Sequence, residues 1–289
     1  MTMATIVGSV MSSHVPAIGG AIAKGIQDSD YWRPFFSGFP PVREWLSRAK
    51  PDVAVVFYMD HGLNFFLDKM PTFAVGAAAE YRNADEGWGL PTQRSLKGDA
   101  PLSWHVIESL IADEFDVTTC QEMLVDHACI IPLQLLYPGG SDWPLRIVPI
   151  TINHVQHPLP SPKRCYALGQ AVGRALASWH EDARILVMGT GGLSHQLDGT
   201  RAGFINKPFD LMCMQALVDA PESLTRYSAL DVVREAGAQG TELMAWIAAR
   251  AALPGHVTKV HSNYHIPISN TAGAVLALAN EGAALARAA

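Results

Sequence analysis

The sequence predicts an α/β protein: a single-domain, layered fold with a largely parallel central sheet flanked by helices. Three observations predict it. Short apolar runs rich in β-branched residues stand at 6–10, 53–58, 145–152 and 185–188, each ending in a polar, often histidine-bearing segment, the pattern of central strands. Helical patterns lie between them at 40–49, 101–114, 163–180, 208–218 and 240–252, the first with proline in its opening turn. No repeat, low-complexity segment or Ser/Gly/Pro linker breaks the 289 residues, so 1–289 reads as one domain.

In chain order, the amino-terminal stretch carries no Lys, Arg, Asp or Glu before Lys24 and could imitate an export signal. It lacks a basic leading region, and Ser12-Ser13-His14-Val15-Pro16 and Gly19-Gly20 interrupt it. It therefore reads as a buried strand, a loop and a helix start. Residues 79–101, centred on Asp85-Glu86-Gly87-Trp88-Gly89, show no clean period and read as a long ordered loop of the kind that covers sites. The alanine-rich 281–289 reads as a terminal helix.

Composition narrows the function. With 49% hydrophobic and 17% charged residues the chain can build a large core. Twenty-one Lys+Arg against 27 Asp+Glu give a net charge of -6, which excludes nucleic acid as the principal partner. Cys120, Cys129, Cys165 and Cys213 form no C-x-x-C pair, so a zinc ribbon or disulfide scaffold is unsupported and a reducing, cytoplasmic setting is expected.

The chemistry sits in the histidines. Of 11, His14, His61 and His195 stand in polar segments that follow strand-like runs, and His127 and His265 in polar segments of the same kind. In an open parallel sheet, the loops at the carboxyl ends of strands converge on one crevice. Each histidine taken alone also reads as an ordinary loop or core residue. Asp60-His61 and Asp126-His127 are neighbours in sequence, but adjacent side chains on extended backbone diverge, so each Asp is expected to bond backbone or another loop.

Glu242 opens the helical pattern at 240–252. Ala245, Trp246 and Ala249 share its face, and a buried carboxylate needs a partner or a metal. An exposed first turn, or an ion pair with Arg234, explains it equally well. The sequence has no H-E-x-x-H, G-x-S-x-G or G-x-x-x-x-G-K-[ST], and Gly189 to Gly192 matches a phosphate loop only loosely. Two neutral imidazoles and one carboxylate best suit a facial set on non-haem Fe(II).

Taken together, SSHVPA (12–17), Asp60-His61, PTFAVG (71–76), ADEGWG (84–89), Asp126-His127, GTGGLSHQL (189–197), Arg201-Ala202-Gly203, Ile205-Asn206-Lys207, Glu242 and IPISNT (266–271) closely resemble one family. It is the class II, LigB-type extradiol ring-cleaving dioxygenases, represented by the β subunits of protocatechuate 4,5-dioxygenases. The resemblance implies that His14, His61 and Glu242 bind Fe(II), that His195 is the acid/base beside the substrate, that His127 is a second active-site histidine, and that Ser269 contacts the substrate carboxylate. It implies insertion of both atoms of O2 into a carboxylated catechol beside its diol, with protocatechuate giving 4-carboxy-2-hydroxymuconate semialdehyde; gallate and 3-O-methylgallate are alternatives. It also implies a small α subunit in an α2β2 assembly, while the charge balance argues against nucleic acid and the interrupted amino-terminal stretch against a membrane span. Met59 stands where the family pattern has Asn, which bears on substrate contacts. Two other classes compete: a zinc-dependent hydrolase on a related scaffold, and a silent subunit whose histidines only support an interface.

Overall fold

The computed structural model describes residues 3–139, 142–154, 156–268 and 270–282. Eleven strands lie among them: β1 (Thr5–Ser12), β2 (Val53–Tyr58), β3 (Phe73–Gly76), β4 (Glu80–Asn83), β5 (Leu96–Lys97), β6 (Thr118–Cys120), β7 (Leu124–Val125), β8 (Arg146–Ile152), β9 (Arg184–Thr190), β10 (Val257–Ile268) and β11 (Thr271–Asn280). The α-helices are α1 (Pro16–Ala23), α2 (Arg33–Phe36), α3 (Pro40–Ala49), α4 (Ala100–Ala112), α5 (His127–Leu136), α6 (Pro162–Ala177), α7 (Lys207–Asp219), α8 (Ala229–Ala236) and α9 (Leu243–Ala251).

Eight strands form the central sheet in the order β10-β11-β1-β9-β2-β8-β3-β6. Its middle, β1-β9-β2-β8, is parallel throughout. Antiparallel β11 and β10 close one side, and β3, antiparallel to β8, carries β6 on the other. The α/β layers follow from the alternation on each strand. In β2, Val53, Val55 and Phe57 join the core under α4, α6, α7 and α9, while Ala54, Val56 and Tyr58 join the core under α1, α3 and α5. A strand covered on both faces has no polar side to show, which is why these strands read as unbroken apolar runs.

The parallel register places the carboxyl ends of the four middle strands level with one another. Met11, Gly189, Phe57 and Ile150 form one continuous rung across β1, β9, β2 and β8. His14, His195, His61 and His154 stand a few residues beyond it.

Several expectations change in detail. Residues 79–101 contain β4 and β5, which with β7 make a separate three-stranded sheet, strands too short to show a period. His127 opens α5 rather than lying in a loop, with the Asp126 side chain capping the helix by accepting the Ala128 N–H. His265 lies inside β10, opposite Gly273. The helix expected over 240–252 begins as a 3-10 turn, Gln239–Glu242, before α9. The terminal helix over 281–289 falls mostly outside the described residues. None of the described helices is long and apolar enough to cross a membrane.

Candidate active site

His14 lies two residues past Ser12, the last residue of β1, and Pro16 then starts α1. Its Nδ1 lies 3.1 Å from the Thr190 hydroxyl at the end of β9, which turns Nε2 toward the Glu242 carboxylate, 3.4 Å away. The ring is buried.

His61 follows β2 through a turn organised by Asp60, whose carboxylate accepts the N–H groups of Leu63, Asn64 and Phe65. Asp126, from the start of α5, accepts both the His61 backbone N–H at 2.9 Å and its Nδ1–H at 3.0 Å. Asp126 therefore pairs with His61 across loops while Asp60 bonds within its own turn, and neither pairs with the histidine beside it in sequence. A carboxylate on one imidazole nitrogen fixes the ring and leaves Nε2 for a ligand; here Nε2 points to Glu242 at 3.8 Å. Burial works to strip a proton from the metal-free His61, but Asp126 and Glu242 outweigh it and lift its pKa to about 10. The reciprocal effect holds Asp126 at about 2, against the upward push of burial.

Glu242 is buried, which excludes the exposed first turn. Arg234 does not reach it and pairs with Asp231 and Glu235. Burial pushes its pKa up, yet His14, His61 and His195 hold it well below the usual carboxylate range. The Gly192 N–H donates to Oε2. The glycines at the end of β9 and just beyond it permit this approach: a Cβ on Gly191 would lie 2.5 Å from the Glu242 Cβ, and one on Gly189 would lie 2.6 Å from the Ala245 carbonyl oxygen.

His127 donates from Nδ1 to Glu86 Oε1 at 2.8 Å, while Oε2 accepts its backbone N–H at 2.7 Å. Its ring lies 4.2 Å from His61 and 4.8 Å from Trp88, centre to centre. Burial and the neighbouring His61 lower its pKa against the opposing pull of Glu86. His195 is held by its backbone: its N–H donates to Ala236, and its carbonyl accepts from Gln239 and Gly240. Just before it, Ser194 donates from N–H and hydroxyl to the buried Asp210. Both His195 ring nitrogens lack a hydrogen-bond partner among the described residues. Burial is the main cause that keeps this ring below the ordinary histidine pKa.

Three donor atoms thus converge: His14 Nε2, His61 Nε2 and Glu242 Oε1. Metal-ligand bonds of about 2.1 Å at right angles put neighbouring donors about 3 Å apart. His14 Nε2 and His61 Nε2 stand 3.4 and 3.8 Å from Glu242 Oε1, so each imidazole can share a divalent ion with the carboxylate after a small inward adjustment. His14, His61 and His127 also offer ring nitrogens within 4.8 Å of one another. Beside the cluster opens a cavity of about 340 Å³, with His61, Met59, Asn153, Gln239 and the exposed Phe66 and Trp88 among its walls. Sequence reasoning singled out neither Glu86, which anchors His127, nor the buried His154. His154 follows strand β8 as His61 follows β2, and that shared placement was the available signal. Ser269 lies outside the described residues.

The profile of the catalytic LigB subunit of aromatic ring-opening dioxygenase matches residues 8–275. The chain belongs to that family. This LigB-family chain is 38% identical over 202 residues to a gallate dioxygenase of Pseudomonas putida KT2440, covering 70% of this chain and 59% of that protein. It is 37% identical over 158 residues to a 2,3-dihydroxyphenylpropionate/2,3-dihydroxicinnamic acid 1,2-dioxygenase of Cupriavidus necator, covering 53% of this chain and 47% of the relative. The chain thus spans roughly half to three-fifths of the relatives it matches. An uncharacterized Escherichia coli K12 protein, JW3007, shares the fold over 94% of this chain and 99% of its own, with a TM-score of 0.58 at 13% identity. The LigB family agrees with the resemblance drawn from the motifs; the more specific likeness to protocatechuate enzymes is not what these relatives are named for.

Proposed function

We propose that the chain, as one catalytic domain over 1–289, is an extradiol dioxygenase that opens a carboxylated catechol with Fe(II) and O2. The observation that carries this reading is the convergence of His14, His61 and Glu242 from three separate elements, beside a cavity, in a LigB-family chain. Two imidazoles and one carboxylate on one side of an ion suit ferrous iron and leave the other side open. His14, His61 and Glu242 would hold the iron, which would supply Lewis-acid activation of the diol and electron transfer to dioxygen.

The protein's own groups orient and move protons. Asp126 and Thr190 aim the two imidazoles, and the Gly192 N–H aims Glu242. His195, neutral and with free ring nitrogens, accepts the proton of a catechol hydroxyl and returns it later. His127, anchored by Glu86, is the second active-site histidine. In the balanced reaction both atoms of O2 enter the product as the carbon–carbon bond beside the diol breaks.

Gallate is the first substrate to try, because a relative at 38% identity is named for it; protocatechuate and 3-O-methylgallate follow. Met59 lines the cavity and bears on that choice, and Ser269 is assigned to the substrate carboxylate. The exposed apolar Phe66, Leu67, Trp88 and Leu197 ring the cavity, and such a collar suits a covering partner, here a small α subunit in an α2β2 assembly. The four unpaired thiols fit a cytoplasmic setting.

The test is oxygen uptake by anaerobically purified, ferrous-reconstituted protein on a panel of catecholic acids, with and without a candidate α subunit. Stoichiometric O2 consumption with formation of a yellow ring-opened product is expected. Tight zinc with oxygen-independent turnover, or no uptake with any catechol in either condition, overturns the reading.

A further inference from the structure

Among the described residues two histidines, His195 and His154, are buried with both ring nitrogens unpartnered, and only His195 has a role so far. His154 lies at the carboxyl end of β8, and Thr151 of that strand pairs with Tyr58 of β2. His61 and His154 therefore stand three residues beyond the same rung on neighbouring strands. His154 is fully buried, and neither of its ring nitrogens has a hydrogen-bond partner among the described residues. Its carbonyl accepts the Thr241 hydroxyl at 2.6 Å, which ties it to the residue before Glu242.

The charges acting on His154 are those of Glu242, His14 and His61, the same three that act on His195. His127 differs, since Glu86 occupies its Nδ1. His14 and His61 reach Glu242 within ion-pair distance, whereas His154 is outside that set yet within its field. Burial, helped by His14 and His61 against Glu242, pushes its pKa down to about 3, so the ring keeps one N–H and one lone pair. A buried imidazole with both nitrogens idle is costly unless something from outside the chain pairs with it.

We propose that His154 is a substrate-binding residue of this site, its imidazole hydrogen-bonded to an oxygen atom of the bound catechol. The proposal rests on the catechol reading above and adds to it a contact that the motifs do not assign. The competing account is a structural histidine satisfied by a trapped water.

The test is anaerobic optical titration of the iron-loaded protein with 4-nitrocatechol, comparing wild type, His154→Leu and His154→Gln, with iron content and thermal midpoint measured on each. His154→Leu is expected to keep wild-type iron and fold but to bind 4-nitrocatechol about tenfold more weakly, the scale of one hydrogen bond to a charged group. His154→Gln is expected to recover most of that loss. Equal affinity in wild type and His154→Leu overturns the proposal, as does loss of iron from both variants. If the leucine variant does not fold, His154→Ala, which also removes the hydrogen-bonding group, is read in the same way: weaker binding supports the contact and unchanged binding overturns it. Failure of the wild type itself to bind 4-nitrocatechol would instead sink the catechol reading on which the proposal stands.

Discussion

The interiors of β1, β9, β2 and β8 and their carboxyl ends lie only a few residues apart and have opposite chemistries. Inside, Val53 to Tyr58 and Ile185 to Met188 are buried apolar side chains on both faces of the sheet. At the ends, the buried residues become His14, Asp60, Asn153, His154, Thr190, Ser194 and His195. Close packing of the interior fixes the strand ends to within the tolerance of a side-chain contact, and the ends spend that rigidity on polar groups that would otherwise be unfavourable to bury. A second contrast divides the ends themselves. His61 and His127 are each anchored by a carboxylate, Asp126 and Glu86, which suits groups whose orientation must not change. His195 and His154 have no such anchor on their rings, which suits groups that meet a ligand from outside.

If this division is right, substitutions at the two kinds of position fail differently. Glu242→Ala should abolish metal binding, since it removes a ligand and leaves two imidazoles to hold the ion alone; full iron occupancy in that variant would break the assignment. His195→Ala should retain iron but lower turnover by roughly 10²-fold or more, the usual span for a lost acid/base group, and undiminished turnover would remove it from the chemistry. Asp126→Asn should weaken metal affinity by about 10–100-fold through the orientation of His61, read by competition with a chelator.

Effects on stability sharpen the same contrast. Burial raises the Asp210 carboxyl from 3.8 to about 6, against the hydrogen bonds of Tyr264 and Ser194. The folded state then holds a proton that the unfolded chain releases near pH 4, so this contribution is complete below pH 4 and is lost as pH rises through 6. Asp210→Asn should flatten that slope, worth up to about 3 kcal/mol, in denaturant titrations between pH 4 and 7; an unchanged slope would remove Asp210 as its source. In the interior, Ile150→Val should cost about 0.5–1.5 kcal/mol and leave metal content untouched. A drop in metal content there would show that interior and ends are not separable.

Much of this arrangement is legible in the sequence, and the limits have physical causes. The middle strands announce themselves because burial on both faces demands unbroken apolar runs, and β2 matches the expected 53–58 residue for residue. β11, by contrast, is rich in alanine, whose intrinsic preference is helical; its pairing with β1 and β10 overrides that preference, so no local signal marks it. α5 was not anticipated because His127 and Pro132 interrupt its helical pattern. In the site, His14 and His61 could be found from their places after strands. Glu242 remained ambiguous because burial, which separates a buried acid from an exposed helix start, depends on α9 packing against Gly189 and Gly191. Glu86 could not be joined to His127, 41 residues away, from local pattern alone.

The most direct test of the central claim is an anaerobic crystal structure of the ferrous-loaded protein. The account predicts one ion within about 2.2 Å of His14 Nε2, His61 Nε2 and Glu242 Oε1, with the side facing His195 open. An ion held instead by His14, His61 and His127, with Glu242 turned away, would contradict it.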